Sequence, residues 1–169
     1  MDNKEHIAYI SVGSNLGNKK KNCQKGIDCL VALDENRLLA QSPFYKTEPV
    51  DYKDQDWFIN GVARIETQLL PSKFLKALKE IEKKAGRDLG QNAVRFGPRI
   101  LDMDILLYDN LVIDEPMISI PHPRMHERVF VLKPLCDIDS QIIHPVSDKS
   151  AEALLAAIDD KNQGVELCS

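Results

Sequence analysis

The chain has 169 residues, enough for one compact domain, 1–169, with a real hydrophobic core. Its 43% hydrophobic and 28% charged residues match an ordinary globular protein, and no stretch approaches the ~20 apolar residues of a bilayer-crossing helix. The net charge of −4 argues against a dedicated nucleic-acid binder, and the polar start from Met1 to His6 lacks signal-peptide architecture, so a cytoplasmic protein is expected.

In chain order, residues 6–13 form a short apolar run ending at Gly13, which predicts a buried first strand. A turn over 14–18 leads to a helix over about 19–33, with Cys23, Ile27, Leu30 and Val31 on its inner face. A second strand over about 38–45 is interrupted by Pro43, and 46–56 is a polar, proline-containing loop. Residues 57–66 alternate as a third strand. Pro71 opens a second helix that carries Phe74, Leu75, Leu78 and Ile81 at helical spacing and stops at Gly86. A second loop, 87–96, precedes a fourth strand over 100–108. Strand, helix, strand, strand, helix, strand is the β-α-β-β-α-β order of an α+β, ferredoxin-like core with an antiparallel sheet. Beyond it come a His- and Pro-rich loop, a short helix or strand near 130–135, and a helix near 150–157.

The chemistry concentrates late in the chain. Asp102 and Asp104 are two apart, so on a strand both carboxylates face one side and repel unless a cation lies between them. Magnesium, a hard ion held by a few carboxylates and substrate phosphates, suits that pair, and Arg95 and Arg99 beside it suit phosphate. A solvent-facing edge is the plain alternative. His122 and His126 are four apart, but Pro121 and Pro123 break any helix through them and no further zinc ligands are evident. His122, Arg124 and Arg128 fit better as donors to phosphate oxygens, or as an ordinary surface loop. Trp57, Phe58 and Phe130 border polar segments; an aromatic pair could sandwich a flat heterocycle, with Asn60 reading the ring edge from the same side as Phe58, or the rings could simply be core. Neither a P-loop nor a GxGxxG fingerprint is present. The four cysteines, Cys23, Cys29, Cys136 and Cys168, include no CxxC and read as free thiols in a reducing compartment.

Together, Arg95, Gly97, Pro98, Arg99, Asp102 and Asp104 resemble the signature of the 6-hydroxymethyl-7,8-dihydropterin pyrophosphokinases of folate biosynthesis. The resemblance extends to the segments 8–17, 44–49 and 55–60, to Ile81, Glu82, Gly86 and Arg87, and from Pro121 and His122 through Arg128 to Phe130. It implies a ferredoxin-like fold with long active-site loops closing over two substrates, ATP and 6-hydroxymethyl-7,8-dihydropterin, in an enzyme able to act as a monomer without nucleic acid or membrane. It implies Asp102 and Asp104 as ligands of two Mg2+ ions, and Arg87 and Arg99 with them as the catalytic set. Glu82, Arg87, Arg95, Arg99, His122 and Arg128 fall at ATP positions, and Thr47, Pro49, Val50, Phe58, Asn60 and Phe130 at pterin positions. The chain departs from the family pattern in a loop after Arg87 that is about two residues longer and has no basic residue before Arg95. It also has Phe96 where a tryptophan is usual and Phe58 where a tyrosine is common. Phenylalanine keeps the stacking face and loses only the hydroxyl.

Overall fold

The computed structural model describes residues 4–49, 54–86, 99–159 and 163–168. Its main sheet runs in the order β5 (Asp102–Tyr108), β1 (His6–Ser14), β4 (Phe58–Thr67), β3 (Tyr45–Thr47), β8 (Val165–Leu167), with β2 (Asn36–Gln41) also paired to β4. Every pairing is antiparallel. The expected second strand is thus two short strands, β2 and β3, lying end to end along β4 with Pro43 between them. Proline cannot donate to a ladder, so the pairing stops there and resumes. With β2 and β3 taken as one strand, the order is that of the expected ferredoxin-like core.

Helices α1 (Lys19–Val31) and α2 (Pro71–Lys84) connect these strands. Asn18 caps α1 by accepting from Lys21 N, Pro71 sits in the first turn of α2, and Gly86 ends it at φ 98°, a conformation that costs glycine little. Beyond β5 lie a hairpin of β6 (Ile113–Glu115) and β7 (Ile118–Ile120), a short 3-10 turn at Met125–Glu127, and helices α3 (Val129–Asp139) and α4 (Ala151–Ala156). The segment near 130–135 is therefore helical. The β6–β7 hairpin and β8 were not foreseen.

The sheet is covered on both faces. Ala8, Ile10 and Val12 of β1 pack with Cys23, Ile27 and Leu30 of α1 and Phe74 and Leu78 of α2. Tyr9, between them, points the other way, into a second core with Val131, Leu132 and Leu135 of α3 and Leu154 of α4. Burial on both faces is why β1 reads as a continuous apolar run rather than an alternating one. Tyr9 also donates to Asp139 at 2.8 Å, and Tyr45 donates to Asp137, so two phenols fasten α3 to the sheet. No helix among the described residues is long and apolar enough to cross a membrane.

Phe74 is fully buried between α2 and the sheet, against the edge of the Tyr108 ring. Phe74→Ala should lower the free energy of unfolding in urea by about 3–5 kcal/mol, the usual cost of an emptied aromatic site.

Candidate functional site

A cleft of about 370 Å3 opens at the end of the sheet where β1 finishes and β4 and β5 begin. Gly13 lies at its centre, paired with Asn60 of β4 on one side and Asp102 of β5 on the other. A Cβ at Gly13 would stand 2.5 Å from Asn60 Oδ1, so only glycine lets the asparagine amide lie across the strand. Asn60 Nδ2 in turn donates to Thr47 Oγ1 at 2.5 Å, both residues being buried. A backbone ladder and a buried side-chain bond therefore fix one wall before any ligand arrives. Glu48, Pro49 and Phe58 complete that wall.

The opposite wall comes from β5. Asp102 and Asp104 are half-buried and line the cleft, while Met103 and Ile105 between and after them are buried in the helix-covered core. Glu82, 1% exposed on α2, accepts from Met103 N at 2.7 Å and so holds the peptide between the two aspartates. It is not among the cleft-lining residues, and its reach to the surface is through Lys79. The Lys79 ammonium lies 3.2 Å from Glu82 Oε1, 3.2 Å from Met103 O and 3.4 Å from Asp104 Oδ1, and it lines the cleft. Burial works to lower the Lys79 pKa, but Asp104, Glu82 and Asp102 together outweigh it and raise the value, keeping the ammonium charged.

Arg99 is positioned through its backbone. Asn15, 2% exposed, accepts from Arg99 N at 2.7 Å with its side chain and donates to Arg99 O at 3.0 Å with its own N–H. Its side-chain Nδ2 donates to Gln55 Oε1 and to Asp56 O, so one asparagine pins the approaches to β4 and β5 together. The rim is closed by His122, Pro123, Arg124, Arg128 and Phe130, with the Arg128 guanidinium 5.4 Å from the Phe130 ring centre. His122 Nδ1 accepts from Arg124 N at 3.1 Å, which leaves the proton of a neutral ring on Nε2. Burial lowers the His122 pKa; Asp104 opposes this, and Arg128, Arg124 and Lys79 add to it.

The cleft thus gathers Thr47, Pro49, Phe58, Asn60, Arg99, Asp102, Asp104, His122, Arg128 and Phe130, all singled out in the sequence, and leaves Glu82 beneath its floor. Arg87, Arg95 and Val50 lie outside the described residues. Sequence reasoning passed over Lys79, Gly13 and Asn15 as functional positions. The signal for Lys79 was its place one helical turn before Glu82, on the α2 face that meets β5.

As a metal centre, the donor set is two carboxylates; among the described residues no group of three or more His, Cys, Asp and Glu could hold a metal ion. That set does not suit structural zinc, which takes four protein ligands. It does suit magnesium, which keeps waters and completes its octahedron with substrate phosphates.

Fold and cleft define a class: an α+β domain with an acidic pair, a cationic rim and two phenylalanines at one end of an antiparallel sheet. The family model described as 7,8-dihydro-6-hydroxymethylpterin-pyrophosphokinase (HPPK) matches residues 9–140. A Pseudomonas aeruginosa protein named 2-amino-4-hydroxy-6-hydroxymethyldihydropteridine pyrophosphokinase is 40% identical over 148 residues, 88% of this chain and 90% of its own length. The folic acid synthesis protein fol1 of Schizosaccharomyces pombe is 39% identical over 166 residues; the match takes in 98% of this chain but only 22% of that longer protein. Among solved structures, a Plasmodium falciparum HPPK-DHPS superposes with a TM-score of 0.72 over 92% of this chain and 46% of that one, at 15% identity, agreeing in fold. The chain belongs to the HPPK family.

Two histidines, His122 in the cleft and His144 outside it, set a pH dependence. Burial also lowers the His144 pKa, with a smaller push from His126. A histidine depressed in the folded state binds its proton more readily when unfolded, so its contribution is complete above about pH 6.5 and lost as pH falls through the folded value. Stability in urea should therefore drop between pH 7.5 and 5.5. NMR titration should show the His122 and His144 rings protonating below pH 6.5.

Proposed function

We propose that this cleft is where the chain transfers pyrophosphate from ATP to the hydroxymethyl group of 6-hydroxymethyl-7,8-dihydropterin, giving AMP and the pterin pyrophosphate, a step of folate biosynthesis. As a member of its family the chain is an ATP-dependent diphosphotransferase. The observation that carries the site is the pair Asp102 and Asp104 on one side of β5, opening into the same cleft as Phe58 and Phe130.

The pterin lies between Phe58 and Phe130, its edge read by Asn60, with Thr47, Pro49 and Val50 lining the pocket. Because Asn60 is already held by Thr47, its amide meets the ring without first being ordered. ATP lies along the cationic rim, with Arg87, Arg95, Arg99, His122 and Arg128 around it, while Glu82, expected beside it, lies beneath the floor and acts through the β5 backbone. The neutral His122 ring offers its Nε2–H to a phosphate oxygen, and Arg87 and Arg99 clamp the polyphosphate. Lys79, tethered at the edge of β5, adds charge where the phosphates meet the aspartates. Asp102 and Asp104 would hold two Mg2+ ions, which when bound neutralise phosphate charge.

The hydroxymethyl oxygen then attacks the β-phosphorus in line. A new bond joins that oxygen to the β-phosphorus, the bond from the β-phosphorus to the α-phosphate oxygen breaks, and AMP leaves with the electron pair. The hydroxyl proton passes to solvent. Nothing in this step needs a covalent nucleophile; the chain contributes position, charge and exclusion of water. The chain acts as one domain and a cytoplasmic monomer, needing neither nucleic acid nor membrane. Free thiols such as Cys23 and Cys29 suit a reducing compartment.

Purified protein incubated with ATP, magnesium and the pterin should form AMP in step with the pterin pyrophosphate, followed by chromatography. Asp102→Ala and Asp104→Ala should each lower turnover by roughly a hundredfold or more, the scale of losing a charge-stabilising group. Circular dichroism should show both folded. Near-normal turnover in either variant would exclude these residues as the metal-holding pair. Phe58→Ala should raise KM for the pterin about tenfold, since the lost stacking and burial amount to ~1.4 kcal/mol.

A further inference from the structure

The last described segment, 163–168, lies beyond the span matched by the family model, yet it touches both the Glu48 wall of the cleft and the Arg128–Phe130 rim, which flank the proposed pterin pocket. Gln163 Nε2 donates to Glu127 O at 3.0 Å, and Gln163 Oε1 accepts from Val129 N at 2.9 Å. One side-chain amide thereby satisfies the two peptide groups on either side of Arg128, in the loop that leads to Phe130. The next residue binds the other wall. Gly164 N donates to Glu48 Oε1 at 2.9 Å, and Glu48 N donates back to Gly164 O at 3.0 Å. Gly164 fits closely there: a Cβ would lie 3.1 Å from Trp57 Cη2 and 3.4 Å from Glu48 Cδ. Val165–Leu167 then continues as β8 along β3, with Thr47 opposite Val165, and Cys168 N donates to Phe44 O at 2.9 Å.

From this we infer that the C-terminal strap sets the width of the ring-binding slot, and that Gln163 is a positioning residue for pterin binding. The inference rests on the pocket assigned above. Consecutive Cα atoms are held about 3.8 Å apart by the trans peptide, so the Arg128 loop and the Glu48 wall, tied to adjacent residues, cannot drift apart while both sets of bonds hold. Phe58 follows Trp57 on one wall, and Phe130 is two residues beyond Arg128 on the other. Stacking on both faces of a flat ring works only over a narrow range of separations. Two hydrogen bonds remote from the ligand can therefore control affinity by presetting that separation, a saving in ordering at the moment of binding.

The test uses Gln163→Met, which keeps length and bulk but loses the amide, and Gln163→Glu, which keeps the acceptor for Val129 N and loses the donor to Glu127 O. Binding of fluorescent 6-hydroxymethylpterin is titrated with magnesium and a non-hydrolysable ATP analogue present, and melting temperature is recorded alongside. Gln163→Met should weaken pterin binding at least fivefold, with Gln163→Glu in between, and KM for the pterin should rise more than kcat falls. If Gln163→Met does not fold, Gln163→Glu carries the comparison. A Kd within twofold of wild type, even with a lowered melting temperature, overturns the proposal and leaves the strap as an edge cover alone. Phe58→Ala serves as the control. If it too leaves binding unchanged, the pocket assignment fails, and not merely the strap.

Discussion

Asp102 and Asp104 lie on one side of an edge strand, where side chains two residues apart are separated by roughly 7 Å. At the effective dielectric of a partly buried site, that repulsion amounts to roughly 2 kcal/mol, so the pair persists only because its surroundings offset it. The offset is built from the backbone outward. Glu82 is spent on the Met103 N–H between the two aspartates, and Lys79 sets one positive charge between Glu82 and Asp104. The strand cannot slip by one residue without carrying Met103 and Ile105 out of the core. The position of the acidic pair is thus enforced by apolar burial on the opposite face, and its charge by a lysine reaching round the strand edge.

Location follows from how the sheet is covered. Helices α1 and α2 close one face and α3 and α4 the other, so the open ground is at the end of the sheet where β5, β1 and β4 lie side by side. There the strands supply Gly13, Asn60 and Asp102 side by side across the ladder. A glycine in mid-sheet normally weakens a strand. Here the missing side chain leaves the room that Asn60 occupies.

Much of this was legible because it depends on periodicity and punctuation. The apolar run of β1, the proline and glycine that bracket α2, and the two-residue spacing of the aspartates each have a local physical meaning. What was not legible depends on long-range pairing. Residues 130–135 form a short apolar run broken by Pro134, equally compatible with strand or helix until α3 is seen packed on Tyr9 and Val62. Strand β8 is three residues long and takes its conformation from β3, so no local pattern announces it. The resemblance puts Glu82 at an ATP position, and only its burial against Met103 N reveals the task of holding the β5 backbone. Lys79 and Asn15 escaped notice for the same reason, since each acts on a strand distant in sequence.

The two halves of the cleft are held in different ways, and the difference matches the interactions proposed for each. Charge attraction falls off slowly with distance, so the proposed phosphate side can be met by long cationic side chains such as Arg99 and Arg128. Stacking and hydrogen bonding to a flat ring lose most of their value within about an ångström of misplacement. The side proposed for the ring is built from mutually bonded groups: the buried pair Thr47 and Asn60, Asn60 over Gly13, and the half-buried Glu48 on Gly164. Rigidity is concentrated where the geometry of recognition is steep, and length of side chain where the field is broad.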